Sequence, residues 1–583
     1  MARSSSPLPP VPARARSTSA HAGQRIRGAQ FRPAPVAAQR ASMTFPSRPL
    51  LLCSALLAAG VAQAQSSGPS AATATSTLED PSRPALVTVR SDDRRVITAT
   101  DSRPAAFEMN WTPLKMPTGE KTALLGLNYM VAINEDWGLG PAAYGAAKGE
   151  FGGLFTVGFN LQRRIRIAPE WHVAASVYAG AGGGVSSDKI RPGGGLMIRP
   201  ELSVRREFGN WYLGAGVAHT AFPNGSGNIK DTSVMLTLGR MDRFLSFDPS
   251  TSGMDGRTGD RTGMGFDEIA LSVGAEKPRT GSRTRGGVPL TGRKGKAGAD
   301  LRQYFGNGAS WWGLEASGAA SGGHDGYMEI LANAGQDWGI GSERLRVGGQ
   351  VSVGLGGGGD MDTGGGWLVR VGPTMRWITP WGPTLRLDAG YMKAPWGHYD
   401  SFQVRGSLAL PLEKASRMLS SPPLEAGTIR AQSWYIAMPR FKEFVFKDGS
   451  RASVTGLGLG MTRDFGGPWY GTAQAGSAAL GKAGAFSYGM FGLGAHSPKW
   501  NGVRVGAEAL VGAAGGGGVS VGGGAVTQGE LWAQWEGTGK ADRLRVKLGV
   551  GQWKALGGDK HSTPLVSLNI GWAFGTLGPA AKR

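Results

Sequence analysis

The chain alternates. Val503-Arg504-Val505-Gly506-Ala507-Glu508-Ala509-Leu510-Val511 sets Val and Ala on one face and Arg, Gly and Glu on the other. Arg543-Leu544-Arg545-Val546-Lys547-Leu548-Gly549-Val550 repeats the pattern, with its charges all on one face. So do Arg344-Leu345-Arg346-Val347, running on into Gln350-Val351-Ser352-Val353, and Thr384-Leu385-Arg386-Leu387-Asp388-Ala389-Gly390-Tyr391. A period of two is the mark of strands with unlike faces, and it excludes amphipathic helices over these segments. No strand candidate calls for a helix.

Two environments can accept such strands: a secreted sandwich with its apolar face inward, or a bilayer with the apolar face outward. Segments of about nine or ten residues match a tilted bilayer crossing. Aromatic residues gather where strands end, at Trp137, Trp211, Trp311-Trp312, Trp377, Trp381, Trp396, Trp469-Tyr470 and Trp553, as an interfacial girdle requires. Both points favour lipid outside. With 97 Gly in 583 residues the chain could suggest disorder, but 18 Trp, 20 Phe and 11 Tyr argue for a folded one.

Export is read from the N-terminal region. From Met43 the chain runs MTFPSRPLLLCSALLAAGVAQAQ, with Arg48 as the basic region, Leu50–Val61 as the apolar region and Ala62-Gln63-Ala64 as the cleavage site. Residues 1–42 are an Arg-, Pro- and Ser-rich extension without acids, which reads as an early start. Cleavage after Ala64 removes eight arginines and no acid, lowering the formal charge from +21 to +13. The single cysteine, Cys53, leaves with the signal; Leu52 before it argues against lipidation. No disulfide framework or thiolate metal site is then expected. The remaining positive charge suits acidic headgroups or acidic polymers; nucleic acid is not expected as a partner of an exported chain lacking a basic, aromatic-interleaved patch.

The glycines measure a repeat. GAGGGVSSDKIRPGGG, GLGGGGDMDTGGG and GAAGGGGVSVGGG each place a Gly run, a spacer and a second GGG, at 193–195, 364–366 and 522–524. Each is flanked by alternating strands, and about eight strands fit each unit. In the third copy the first four are expected at 433–442, 452–463, 469–478 and 486–495. Modules of one architecture repeat at such intervals. The expected organisation is the extension (1–42), the signal (43–64), a polar linker (65–105), repeat 1 (106–247), a linker (248–265), repeat 2 (266–411), a linker (412–430), repeat 3 (431–575) and a tail (576–583). Gly-, Ser- or Pro-rich connections between units favour three tandem eight-stranded barrels over one of about 24 strands, which stays open.

Chemistry is sparse. A phosphate loop needs Lys-Ser/Thr after its glycines and a helix to follow, and no copy supplies them. His219, His398 and His561 lie near the last connection of each repeat, where small polar loop residues explain them. Carboxylates beside arginines are expected to face inward as ion-pair networks filling a narrow barrel. The residues so assigned are Arg199, Glu201, Arg344, Arg346, Arg386, Asp388, Arg504, Glu508, Arg543, Arg545 and Lys547. No catalytic residue, cofactor or metal is expected.

Alternation, aromatic placement, the signal and the missing cysteines together resemble Gram-negative outer-membrane β-barrels over about 106–575, as an all-β antiparallel transmembrane class. The resemblance implies a terminal-strand signal for the barrel-insertion machinery, and Val566–Phe574, with Ile570, Trp572 and Phe574, looks like one although nine residues follow it. The stretch AHTAFPNGSGN (218–228) is distantly similar to the His-x-Ser strand of outer-membrane lipid A deacylases, but Ala221 stands where the serine is needed. Two functions follow as expectations: a non-enzymatic envelope protein contacting lipid or a partner, or a porin-like conduit passing anionic solutes or an acidic polymer through one large barrel. Outer-membrane lipid and anionic lipopolysaccharide or acidic polysaccharide are the expected contacts.

Overall fold

The structure, a computed structural model, describes residues 96–579 apart from 99, 185–192, 226–227, 306–308, 414–425 and 559–560. The expected extension, signal and first part of the polar linker lie outside these.

Alternating β-branched and aromatic residues form long antiparallel strands. The first barrel contains β1 (Asp101–Lys115), β2 (Lys121–Ala132), β3 (Trp137–Ala146), β4 (Phe155–Ala168), β5 (Trp171–Gly183), β6 (Leu196–Phe208), β7 (Trp211–Ala221) and β8 (Lys230–Ser246). A short β9 (Asp255–Arg257) follows in the connection. The second barrel contains β10 (Glu268–Pro278), β11 (Lys294–Phe305), β12 (Ser310–Ser321), β13 (Met328–Gly339), β14 (Leu345–Gly357), β15 (Trp367–Ile378), β16 (Thr384–Lys393) and β17 (Asp400–Pro411). The third contains β18 (Ala426–Val445), β19 (Arg451–Gly466), β20 (Trp469–Leu480), β21 (Ser487–His496), β22 (Val503–Gly515), β23 (Ala525–Glu536), β24 (Leu544–Ala555) and β25 (Ser562–Gly578). The only helices among the described residues are two short 3-10 turns.

Each set closes on itself. Ser246 of β8 pairs with Asp101 of β1, Leu410 of β17 with Ile269 of β10, and Phe574 of β25 with Gln432 of β18. The protein is therefore three closed eight-stranded barrels, and not one large barrel. Strands of about 12 residues at ~3.3 Å each reach ~40 Å, and tilted by ~45° they cross a hydrocarbon core of ~30 Å. Three boundaries differ from the sequence reading. β1 starts inside the expected polar linker, β18 inside the second linker, and β25 runs into the expected tail, because edge closure extends each pairing outward.

The chain ends and every second turn of each barrel lie at one rim, and the longest connections within the barrels, the glycine-rich ones among them, lie at the other. At the long-loop rim the three barrels join in rotation. The loop between the third and fourth strands of each meets the glycine-rich connection between the fifth and sixth strands of the next. Gly152 of the first barrel donates its N–H to the Gly364 carbonyl of the second (2.8 Å). Gly326 of the second abuts Gly515 and Gly516 of the third, and Gly484 of the third abuts Gly183 and Gly193 of the first. No Cβ fits at these approaches.

The other rim is joined by side chains and by the linkers. Phe244 (β8), Trp434 (β18) and Phe574 (β25) form an edge-on trio with centroids 5.0–5.4 Å apart. Phe247 exchanges backbone hydrogen bonds with Gly575 (2.9 and 2.8 Å). The described parts of the two linkers are not free tethers. β9 pairs with Ala426–Thr428 at the start of β18. Glu413 accepts a hydrogen bond from Thr262 N (3.0 Å), and the Thr262 hydroxyl accepts one from Leu577 N (2.9 Å).

Candidate functional site

The walls carry apolar residues outside and charges inside, the reverse of a soluble sandwich. On β6, Arg199, Glu201, Ser203 and Arg205 are buried while Leu202, Val204 and Arg206 are exposed. On β8, Val234 and Leu236 are 65% and 58% exposed. A closed antiparallel wall with an apolar exterior and a polar interior is the arrangement of an outer-membrane β-barrel, since every backbone group is satisfied without water.

The first lumen is filled by two ion pairs, Arg199–Glu201 and Arg205–Glu108. Arg199 also donates to the hydroxyls of Thr112 (2.7 Å) and Tyr144 (3.0 Å), and the Tyr212 hydroxyl donates to Glu108 (2.7 Å).

The second lumen is the most charged. Asp388 takes Arg405 (2.7 Å) and the Thr374 hydroxyl (2.6 Å), and Arg386 reaches Asp300 (2.8 Å). Glu315 binds Arg370 (2.6 Å) and Arg405. Asp337 is held between Arg346 (2.6 Å) and Arg376 (2.7 Å), and Lys296 between Glu329 (2.7 Å) and Glu276 (3.1 Å). An enclosed void beside Lys296, Glu315 and Arg370 holds about 10 Å³, room for one water and no solute.

The third lumen is split. Glu508 meets Lys547 (2.9 Å), the Tyr470 hydroxyl (2.9 Å) and Gln474 (3.1 Å). Toward the long-loop rim, Phe441, Phe444, Phe486, Tyr488 and Trp553 pack into an aromatic core.

The glycine-rich connections also cover two of the mouths. In the third barrel Val519 and Val521, between the two Gly runs, are buried in that aromatic core. Ser520 N donates to Val445 O (2.9 Å), tying the connection across the mouth to β18. In the second barrel Met361 does the same, buried with Leu290 and Tyr399. Its neighbour Asp362 donates its N–H to the carbonyl of Arg283 on the opposite side (3.2 Å). Positive φ at Gly516, Gly517, Gly518, Gly522, Gly523 and Gly524 makes the two turns that frame the valines. An apolar residue inside a Gly-rich connection is the sequence signal for these caps.

Arg199, Glu201, Arg346, Arg386, Asp388, Glu508, Arg545 and Lys547 are buried in the lumens. Three others stand elsewhere. Arg344 lies in the exposed turn before β14. Arg504 is half-buried at a mouth, 2.8 Å from Glu536. Arg543, just before β24, reaches across to Asp101 of the first barrel (3.0 Å). Alternation fixes parity only inside a strand, and Arg344 and Arg543 sit just outside one.

The aromatic girdle also needs correction. Trp137, Trp211, Trp377, Trp381, Trp396 and Trp469 are exposed, but Trp311, Tyr470 and Trp553 are buried inside. Adjacent Trp311 and Trp312 must point to opposite faces, and Trp311 lies under Arg302, 3.6 Å from its centroid. Of the terminal-strand residues, Phe574 is buried at the seam with the first barrel, while Ile570 and Trp572 are partly covered.

The three histidines are on three separate barrels and do not converge, and His219 lies within β7, not in a loop. His219 Nδ1 is 2.7 Å from the Thr232 hydroxyl, and His398 Nδ1 is 2.6 Å from Asp362. Among the described residues no three metal-capable side chains cluster, and no helix is long and apolar enough to cross a membrane.

No family model and no curated protein matches the chain. Solved outer-membrane proteins of Pseudomonas aeruginosa align over most of it. OccK11 (OpdR) is 10% identical, over 82% of this chain and 98% of that one, with a TM-score of 0.20. OpdK is 11% identical, over 82% and 99%, at 0.20. OccK2 (OpdF), solved with glucuronate, is 10% identical, over 82% and 98%, also at 0.20.

Proposed function

We propose that this outer-membrane chain is a non-conducting, non-enzymatic envelope protein whose work is done on its outer surfaces, in contact with lipid or a partner. The observation that carries this reading is the filling of all three lumens. Most of the charges inside are paired with one another, while Lys294, Glu268 and Glu530 are buried with neutral hydrogen-bond or ring partners, and eight strands leave only enough interior for side chains. The caps at Val519, Val521 and Met361 support the same conclusion. Insertion machinery reading the terminal strand and contact with lipopolysaccharide or acidic polysaccharide belong to this proposal.

A conduit for anionic solutes is the second reading, favoured by the guanidinium lining of the second lumen at Arg302, Arg370, Arg376, Arg386 and Arg405. Planar-bilayer recording of the folded protein separates the two. Silence is the expected result, and reproducible unitary current steps blocked by organic anions would replace the closed-lumen reading with the conduit.

A further inference from the structure

From Lys277 to Ala299 the chain carries seven cations and no acid. This stretch spans the end of β10, the connection after it and the start of β11, at the rim of the longest connections. Lys294 and Lys296 turn into the lumen, whereas Lys277, Arg279, Arg283 and Arg293 are exposed. Cross-strand register arranges the outer face around them in levels. Val273, Val404 and Leu387 are exposed on the lower part of β10, β17 and β16. Above them Lys277, Phe402 and Tyr391 stand side by side on the same three strands. Arg293, one residue before the Lys294–Glu276 pair, continues that level beyond Lys277.

Higher still, Arg279 and Lys393 flank Asp400. Arg279 donates its backbone N–H to the Asp400 carbonyl (2.9 Å), and Lys393 stands opposite Asp400 in register. The Arg279 guanidinium lies over both rings below it, 5.6 Å from the centre of Tyr391 and 5.8 Å from that of Phe402. The rings themselves are 5.7 Å apart. Among the described residues no other cation lies over a ring on the outer face at this rim. The other outer-face contacts, on Trp137, Trp171, Phe208, Trp211 and Trp572, are all at the opposite one.

We propose that this face of the second barrel binds lipopolysaccharide, deepening the surface-contact reading above, on which it rests. The apolar wall takes the acyl chains, the two rings sit at the interface, and Lys277, Arg279, Arg293 and Lys393 take the phosphates of the headgroup. Longer connections face outward in outer-membrane barrels, which sets this rim in the leaflet that holds that glycolipid. The cations are available for it. Among the described residues the side chains of Lys277, Arg293 and Lys393 have no hydrogen bond or ion pair. Arg279 gives one nitrogen to the Tyr391 hydroxyl at 3.5 Å and keeps the others. Asp400 is half-buried and pairs with neither neighbour, so the group stays strongly positive. A free acidic polysaccharide would use the cations alone and leave the rings and the wall beneath them without a role. A phospholipid would bring a single phosphate to the whole group.

The test uses the full chain in bilayer discs of phosphatidylethanolamine, phosphatidylglycerol and rough lipopolysaccharide, extracted in mild detergent, with retained lipid read by mass spectrometry. Lipopolysaccharide is expected several-fold above its share of the bilayer. The Lys277→Gln/Arg279→Gln/Arg293→Gln/Lys393→Gln variant should fall to that share, while Arg163→Gln/Arg206→Gln at the opposite rim should not change it. A wild type with no enrichment, a quadruple variant that keeps it, or enrichment of phosphatidylglycerol in its place would overturn the proposal. So would displacement of the glycolipid by a soluble acidic polysaccharide. Should the quadruple variant not fold, dephosphorylated lipopolysaccharide decides with the wild type: its retention must drop several-fold, and equal retention of the two forms overturns the proposal. Retention is measured without any current, so it fails or succeeds independently of the lumen reading.

Discussion

Gly326 and Gly515 meet backbone to backbone across the seam between the second and third barrels, so closely that a Cβ on Gly515 would fall on the Gly326 nitrogen. Gly515 has no positive φ, so space alone demands glycine there. Gly515→Ala is therefore expected to lower stability by about 1–3 kcal/mol, the cost of forcing a packed backbone apart. Thermal unfolding in detergent measures it, and Gly529→Ala, with nothing near its Cβ, is the matched control.

Glu315 holds Arg370 and Arg405 inside the second lumen. Glu315→Ala leaves buried guanidinium charge without its partner and should cost about 3–5 kcal/mol. Glu343 pairs with Arg346 but is 82% exposed, and Arg346 keeps Asp337, so Glu343→Gln should move the urea midpoint little. Equal effects from the two would contradict a filled lumen as a source of stability.

Glu413 lies between strands, beyond the end of β17, where burial pushes its carboxyl up to about 8 while hydrogen bonds from Thr262 pull it down. Asp267 beside it also raises it, and Arg463 lowers it. The folded value lies above the ordinary 4.5, so the folded state holds a proton that the unfolded chain has released. The stability this contributes is full below about 4.5 and is lost as pH rises toward 8. Melting temperatures recorded from pH 5 to 9 should decline, and Glu413→Gln should flatten that decline.

Phe574 is both the aromatic end of an insertion-signal pattern and a buried member of the Phe244–Trp434 trio. Phe574→Ala should lower stability by about 3–5 kcal/mol through the lost packing. Membrane-fraction yield reads the other role separately. A variant of unchanged melting temperature and reduced yield would assign the residue to insertion alone.

Much of this was legible because period two is a local property. Three eight-strand units, and the inward parity of Arg199, Glu201, Arg386 and Asp388, follow from alternation without knowing any partner strand. The seams were not legible, since an apolar residue facing another barrel looks like one facing lipid: Phe574 and Val234 share a pattern, yet only Phe574 is buried. Cross-strand register was also hidden. Trp171 and Arg206 are 35 positions apart, and nothing in either neighbourhood marks them as opposite.

The rotating seam has a consequence for how the three units can differ. A head-to-tail contact applied three times closes and leaves no face to recruit a fourth barrel. Were the units separate identical chains, each lumen would have to be the same, and assembly would depend on their concentration in the membrane. Covalent joining removes both constraints, because tethered partners meet at a fixed effective concentration and only the contacting loops must match. One sequence could thus diverge into an interior with two ion pairs, one with a dense ion-pair network and one half filled by an aromatic core, while the glycines between them stayed put.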